Sequence, residues 1–252
     1  MNRRRRLDAE LLRRGLVHSR SLAVEVIAAG RVLVNGAIAD KASRQVEPSD
    51  AIIVDGPPAR FVSRGGEKLD SALTAFEIDV RGLYVLDAGA STGGFTDCLL
   101  QRGAARVAAV DVGHGQLHPK IRNDDRVLVL ERQNIRHLTD EHIWGRAEMV
   151  VADLSFISLK SVIKPLVGVS CPGAVFVLLV KPQFEAGRAE VSKGRGVIKD
   201  PEIHLRVRGE IEDALLENGC LPMGWIDSPI VGAEGNREFL VHARTPATGA
   251  AS

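Results

Sequence analysis

From Leu83 onward, short unbroken apolar runs alternate with stretches whose apolar residues recur at helical spacing. That alternation predicts a doubly wound α/β sheet of buried parallel strands with helices between them. The runs end at Asp87, Asp111, about Leu130, Asp153 and Lys181. In such sheets ligands bind beyond the carboxyl ends of the strands, near the point where strand order reverses. The strands thus send Asp, Asp, the polar turn 131–134, Asp and Lys toward one edge. A buried strand needs no charge at its end to fold, so this row of polar residues points to a site.

The front of the chain has a different rhythm. Leu7, Leu11, Leu12 and Leu16 predict a helix closed by Gly15. A second helix, capped by Ser19 or Ser21, presents Leu22, Ala23, Val26 and Ile27 and stops at Gly30. Val32 to Val34 then run into Asn35-Gly36, the favoured two-residue hairpin pair, and Val46 with residues 51–54 completes a small sheet. Pro57 and Pro58 stiffen a linker that no apolar periodicity crosses. The expected division is a small domain at 1–58, a linker at 59–63, a large domain at 64–245 and a flexible tail at 246–252.

In the large domain, a helix runs from Lys68 through Leu69, Ala72, Leu73 and Phe76 ahead of the first strand. Residues 183–200 form a long polar connection in which Gly187, Gly194 and Gly196 alternate with Arg188, Lys193, Arg195 and Lys199. It reads as a mobile basic lid. Pro201 opens a helix to about Asn218, stopped by Gly219. Two late strands, 223–228 and 238–243, follow, and the turn Gly235-Asn236-Arg237-Glu238 delivers Glu238 to a strand start.

The stretch after Asp87 carries Gly89, Ser91, Gly93 and Gly94 before Phe95-Thr96 open a helix. Strand, glycine loop and helix together bring a ligand close to backbone N–H groups. A dinucleotide site wants Gly-x-Gly-x-x-Gly over a pyrophosphate. Here the spacing differs, and Asp87 stands where its charge would repel phosphate. S-adenosylmethionine, which carries an ammonium and a sulfonium and no phosphate, suits the loop better. Asp111 ends the next strand and can accept both ribose hydroxyls. The expected cofactor contacts are Asp87, Gly89, Ser91, Gly93, Gly94, Phe95, Asp111, Asn134 and Asp153. The loop 113–117 is expected near the adenine or the methionine end, while His114 and His118 read as surface histidines without partners.

Composition adds bounds. At 252 residues and 45% apolar, the chain can fill one large core and a small one. No stretch approaches the length of a membrane helix, and Met-Asn-Arg-Arg-Arg-Arg lacks the apolar core of a signal peptide. Cys98, Cys171 and Cys220 lie far apart without metal-ligand spacing. These features predict a cytoplasmic protein with reduced thiols, no metal and no membrane contact. Residues 1–60 hold 11 Lys/Arg against 7 Asp/Glu, whereas the remainder carries a net charge of −3. A basic front on a near-neutral body fits a polyanion reader attached to an enzyme.

Several motifs carry a family resemblance. Arg6-Leu7-Asp8, Gly15-Leu16, Ser19-Arg20, residues 28–32, Val34-Asn35-Gly36 and Lys41 resemble the S4 RNA-binding module over about residues 5–55. Residues 63–69, 87–96, 152–158, 181–185 and 235–239 resemble the RrmJ/FtsJ-type 2′-O-ribose methyltransferases. Joined, the two halves resemble the TlyA family of bacterial rRNA (cytidine-2′-O)-methyltransferases, whose members also carry haemolysin names. The resemblance implies a Rossmann-like methyltransferase sheet with helices on both faces, behind a small α+β S4 domain. It implies S-adenosylmethionine as cofactor and ribosomal RNA or ribosomal subunits as partner. The family's Lys-Asp-Lys-Glu catalytic set falls on Lys68, Asp153, Lys181 and Glu238. Expected RNA contacts are Arg6, Arg13, Arg14, Ser19, Arg20, Lys41, Arg64, Lys193 and Arg195. The targets implied are cytidines of 23S rRNA, in some members 16S rRNA as well, and the plain tail after Ala243 leans toward 23S alone.

The chemistry behind such a set can be stated independently. A ribose hydroxyl is a poor nucleophile, while the sulfonium already activates the methyl group. The protein must align oxygen, carbon and sulfur and remove a proton. A lysine serves as base when a second cation and partial desolvation favour its neutral form. In this reading Lys181 orients and deprotonates the hydroxyl, Lys68 assists, and Asp153 and Glu238 hold the lysines. Other classes fit less well. A pseudouridine synthase would need a second Arg-Leu-Asp stretch and a catalytic β-fold. A dehydrogenase would need the dinucleotide glycine spacing. A pore-former would need an amphipathic membrane-inserting segment. A non-catalytic RNA-binding factor is the remaining alternative.

Overall fold

The structure, a computed structural model, describes residues 4–17, 20–56, 59–232 and 234–247. The chain forms two compact units, Met1–Ser63 and Arg64–Ser252. Each has its own apolar core.

The first unit runs β1 (Arg5–Arg6), α1 (Leu7–Arg13), α2 (Arg20–Ala28), β2 (Val32–Val34), β3 (Ala37–Ile38), β4 (Gln45–Val46) and β5 (Ile52–Val54). Strands β3, β2 and β5 form one small sheet in that order, and β1 pairs with β4. Leu7, Leu11, Val26 and Ile27 from the helices meet Val32, Val34 and Val46 in the core. Asn35 and Gly36 both adopt positive φ, 53° and 81°, as a type I′ hairpin turn requires. Two buried carboxylates organise the arginines of this unit. Asp8 takes Arg6 and Arg20, and Glu10 takes Arg13 and Arg14.

The second unit opens with α3 (Gly65–Ala75). The apolar pattern shows this helix only from Lys68, because its first turn, Gly-Gly-Glu, carries no apolar stripe. There follow β6 (Tyr84–Ala88), α4 (Gly94–Gln101), β7 (Arg106–Val110), α5 (Pro119–Arg122), β8 (Val127–Leu130), β9 (Ala147–Ala152), α6 (Ile163–Gly168) and β10 (Ser170–Val180). The chain ends with α7 (Pro182–Glu185), α8 (Arg188–Lys193), α9 (Pro201–Glu217), β11 (Leu221–Asp227) and β12 (Phe239–Arg244). One seven-stranded sheet has the order β11-β12-β10-β9-β6-β7-β8. Strands β10, β9, β6, β7 and β8 are parallel, while β12 runs antiparallel to both β10 and β11. The chain enters at β6, travels out through β7 and β8, then returns to build β9 and β10 on the other side. Strand order therefore reverses between β6 and β9, beside the glycine loop.

The connection after β10 is more ordered than its polar composition suggests. Besides α7 and α8 it holds a tight turn, where a Cβ on Gly194 would stand 1.9 Å from the Val197 carbonyl oxygen. Ile198 is held from both sides: its N–H donates to Asn236 Oδ1 at 2.9 Å, and its carbonyl oxygen lies 3.1 Å from His204 Nε2. Both anchors are buried polar side chains, Asn236 from 38 residues away and His204 from the first turn of α9, which apolar periodicity does not reveal. The start of the expected tail is also tied down. Thr245 Oγ1 donates to the Cys171 carbonyl oxygen, and Gly173 N–H donates to that of Pro246. Residues 248–252 lie outside the described residues. Among the described residues, no helix is long and apolar enough to cross a membrane.

Candidate active site

Strand register assembles the site. Ala152, at the end of β9, lies between Ala88 of β6 and Leu178 of β10. Val180, at the end of β10, pairs with Phe239 of β12. Gly89, Asp153, Lys181 and Glu238 are the residues just beyond these pairs, so four neighbouring strands deliver them to one edge. Lys68 arrives from the start of α3.

The four expected catalytic residues form two ion pairs. Lys68 Nζ lies 2.5 Å from Glu238 Oε2, with side chains only 10% and 3% exposed. Lys181 Nζ lies 2.5 Å from Asp153 Oδ1. The directed hydrogen bond of Lys181 goes to Ser155 Oγ, at 2.9 Å. Gly232 gives Glu238 room, because a Cβ there would stand 2.5 Å from Glu238 Oε1.

A cavity of about 350 Å³ opens beside Asp153. Gly89, Ser91, Asp111, Asn134 and Asp153, all expected at the cofactor, line it. Asp111 is aimed by the backbone: its two carboxylate oxygens accept N–H bonds from Ser91 at 2.8 Å and Gly113 at 2.6 Å. Each oxygen keeps acceptor capacity, so the carboxylate fits a vicinal ribose diol. Gly89 has φ of +87°, and a Cβ there would stand 2.6 Å from the Asp153 carbonyl oxygen. Only glycine allows this close approach of the loop to the end of β9. The residues present fit a nucleoside cofactor such as S-adenosylmethionine.

Asp87, Gly93, Gly94 and Phe95 do not line the cavity. All four are buried. Asp87 falls inside β6 and turns toward α4, where Thr96 Oγ1 donates to its Oδ2 at 2.6 Å. Its Oδ1 is buried without a hydrogen-bond partner. Burial above all, with Asp153 and Asp111 adding their charge and the Thr96 bond opposing, pushes its carboxyl up to about 7. Gly93 sits at φ of +93° against Leu117 and Ile121, a packing role at the start of α4.

Sequence reasoning missed part of the lining: Val112, Leu154, Ser155, Phe156 and Ile157. Phe156 stands out. It is 91% exposed and adopts φ of +65°, which is uncommon for a bulky side chain. Its ring packs 5.2 Å from that of Phe184. The one sequence signal was an aromatic residue placed shortly after a strand-ending acid. His114 and His118 also have partners: Glu131 for the first, and the N–H of Lys120, at the start of α5, for the second.

The expected RNA contacts are spread over both units. In the first, Arg6, Arg13, Arg20 and Lys41 are exposed, whereas the Arg14 side chain is only 20% exposed. Arg14 donates to Glu10 and to the carbonyls of Glu47, Pro48 and Asp50. Ser19 lies outside the described residues, and so does the side chain of Lys193. In the second unit Arg64 and Arg195 are exposed. A wider depression of about 720 Å³ lies at Arg195, Lys199 and Arg206, where Glu190, Asp200 and Glu202 balance the charge. None of the strand-end residues lines it. Among the described residues, no group of three His, Cys, Asp or Glu side chains is placed to hold a metal.

A parallel sheet that reverses beside a glycine loop and takes one antiparallel strand, β12, between β10 and the edge strand β11 is the fold of S-adenosylmethionine-dependent methyltransferases. A solved methyltransferase of that type from Mesorhizobium loti shares this fold, with a TM-score of 0.51, 18% identity, and 69% of this chain and 96% of that one covered. More specifically, the FtsJ-like methyltransferase profile matches residues 61–245 and the S4 domain profile matches residues 5–52. The chain belongs to the FtsJ-like methyltransferase family and is a methyltransferase with an S4 domain at its front. It is 50% identical over 246 residues to the 16S/23S rRNA (cytidine-2′-O)-methyltransferase TlyA of Mycobacterium tuberculosis, which covers 97% of this chain and 91% of that protein. A solved structure from Streptococcus thermophilus that carries a hemolysin name is 37% identical, with a TM-score of 0.79 over 98% of this chain and 90% of that one.

Proposed function

We propose that this protein methylates the 2′-oxygen of a cytidine in 23S rRNA, with S-adenosylmethionine as donor and Lys181 as the residue that takes the proton. One observation carries the reading. Asp153 both lines the cavity and holds the Nζ of Lys181, so donor site and base share a wall.

Asp111 would accept the ribose hydroxyls of the donor, and Ser91, Asn134 and Asp153 would surround it. Bound there, S-adenosylmethionine supplies a methyl carbon already activated by its sulfonium. A lysine head has three bonding directions. Ser155 takes one of these at Lys181 by hydrogen bond, Asp153 holds the head as an ion pair, and a remaining direction serves the 2′-hydroxyl. The neutral amine of Lys181 orients that oxygen and accepts its proton on its lone pair, and Asp153 stabilises the ammonium that results. Lys68, held by Glu238, stabilises the negative charge that develops on the oxygen. Phe156, exposed at the rim, offers its face for stacking on the target base. Arg6, Arg13, Arg20 and Lys41 supply phosphate contacts from the first unit, in the manner of a shape-reading RNA module. This substrate places the reaction in the cytoplasm.

The test is label transfer. The protein is incubated with methyl-labelled S-adenosylmethionine and, separately, 50S subunits, 30S subunits and 70S ribosomes from an unmodified strain. The expected product is a single 2′-O-methylcytidine in 23S rRNA. Transfer to 30S subunits as well extends the range to 16S rRNA, the range named for the Mycobacterium relative. No transfer to any substrate, with donor binding intact, contradicts the reading.

A further inference from the structure

Two parallel neighbouring strands, β9 and β10, are each followed directly by a charged residue, Asp153 and Lys181, and then turn into a short loop. The two loops are joined twice. The first joint is Lys181 with Asp153 and Ser155. The second lies further out: Glu185, four residues beyond Lys181, accepts hydrogen bonds from Ser158 Oγ at 2.5 Å and from the Leu159 N–H at 2.8 Å. Glu185 is 9% exposed, and burial raises its carboxyl above the usual range against the pull of those two bonds. A carboxylate is costly to bury, and the catalytic scheme gives this one no task.

The segment between the two joints is residues 156 and 157. It includes Phe156, whose backbone stands in the left-handed region and whose ring faces solvent against Phe184. A bulky residue keeps such a conformation only where its surroundings over-determine it. Lys181 fixes the near end of this segment and Glu185 the far end.

We infer that Glu185 is a positioning residue for methyl transfer: by clamping Ser158 and Leu159 it holds Phe156 and the Asp153–Ser155 stretch in register with Lys181. The inference rests on the proposed methyl transfer to RNA. Glu185 touches neither the cavity nor the reacting atoms and acts through the loop it holds. Its task is acceptor geometry, and its charge is secondary. A glutamine keeps one acceptor for the Leu159 N–H and places an amide donor against Ser158 Oγ.

The experiment measures kcat and KM for rRNA at saturating donor, in full-length wild type, Glu185→Ala, Glu185→Gln, Phe156→Ala and the Phe156→Ala/Glu185→Ala double variant. Hydrogen exchange of amides 154–159 is followed in parallel. Glu185→Ala is expected to lower kcat about 10- to 100-fold, the scale of a misplacement near 1 Å. Glu185→Gln stays within about threefold of wild type, since an acceptor remains. The double variant loses about as much as the worse single one, because both changes act on one element. Exchange at Leu159 accelerates in Glu185→Ala and in the double variant, and not in Glu185→Gln or Phe156→Ala. Wild-type kcat in Glu185→Ala, losses that multiply in the double variant, or a Glu185→Gln as impaired as Glu185→Ala each overturn the inference. A wild type that methylates no RNA removes the proposed function instead. Exchange then decides the clamp alone, and unchanged protection of Leu159 in Glu185→Ala rejects it.

Discussion

Lys68 and Glu238 stand 170 residues apart in the chain and 2.5 Å apart in space. Both side chains are buried, and each is the other's counter-charge. Removing one partner of a buried pair leaves an uncompensated charge and costs about 3–5 kcal/mol, whereas removing both costs less. Glu238→Ala is therefore expected to lower the melting temperature more than the Lys68→Ala/Glu238→Ala double variant does. Activity is expected to behave oppositely: the double variant remains inactive, because Lys68 belongs to the proposed chemistry. Thermal unfolding and turnover measured on the same three proteins check this. A double variant as unstable as Glu238→Ala contradicts it.

Asp87 makes the stability of the second unit depend on pH. Its carboxyl is raised to about 7 in the folded protein, while in the unfolded chain it titrates near the ordinary value of 3.8. Between those values the folded state holds a proton that the unfolded state has released. Stability from this group is thus full below about pH 4 and is lost as pH rises through about 7. Asp87→Asn removes the charge and is expected to stabilise the protein at pH 8 by up to roughly 4 kcal/mol, and by less at pH 5. Melting curves at the two pH values read the difference. An equal effect at both rejects it.

In the proposed donor site Asp111 is the residue that accepts the ribose hydroxyls. Asp111→Ala is expected to weaken S-adenosylmethionine binding about 10- to 100-fold, the scale of charge-assisted hydrogen bonds to a diol. The Ser91 and Gly113 N–H groups lose their acceptor in the same variant. Calorimetric titration measures the change, and affinity within twofold of wild type would place the donor elsewhere.

Arg14 and Arg20 separate structure from recognition in the first unit. Arg14 is committed to the carbonyls of residues 47–50, so Arg14→Ala is expected to cost roughly 1–3 kcal/mol of stability. Arg20, 62% exposed in its pair with Asp8, is expected to act on RNA. Arg20→Ala should weaken RNA binding and flatten its dependence on salt by about one counterion. Binding isotherms at several salt concentrations, with melting curves, decide between the two roles. A reversed pattern contradicts the assignment.

Much of this arrangement was legible in the sequence. Asp111, Asp153 and Lys181 were placed correctly at strand ends because an apolar run stops at a charge whatever the tertiary context. The Asn35-Gly36 turn was legible for a similar reason, since few pairs accept two positive φ angles. The rest depends on side-chain contacts that an apolar pattern does not carry. No periodicity tells that Asp87 turns toward Thr96, or that Asn236 and His204 pin Ile198. Nor does it mark Phe156, whose left-handed backbone is imposed by contacts on either side. Arg14 looks like any other arginine of a basic helix until the carbonyls of residues 47–50 are seen around it.

In the proposed reaction Lys181 takes the proton of a ribose 2′-hydroxyl beside a separately built donor site. The most direct measurement is the rate of methyl transfer to 50S subunits by Lys181→Ala, alongside its affinity for S-adenosylmethionine. The expected result is a loss of about 10²- to 10⁴-fold in rate, the contribution of a positioned base, with donor affinity within a few-fold of wild type. Near-normal turnover in Lys181→Ala would contradict it.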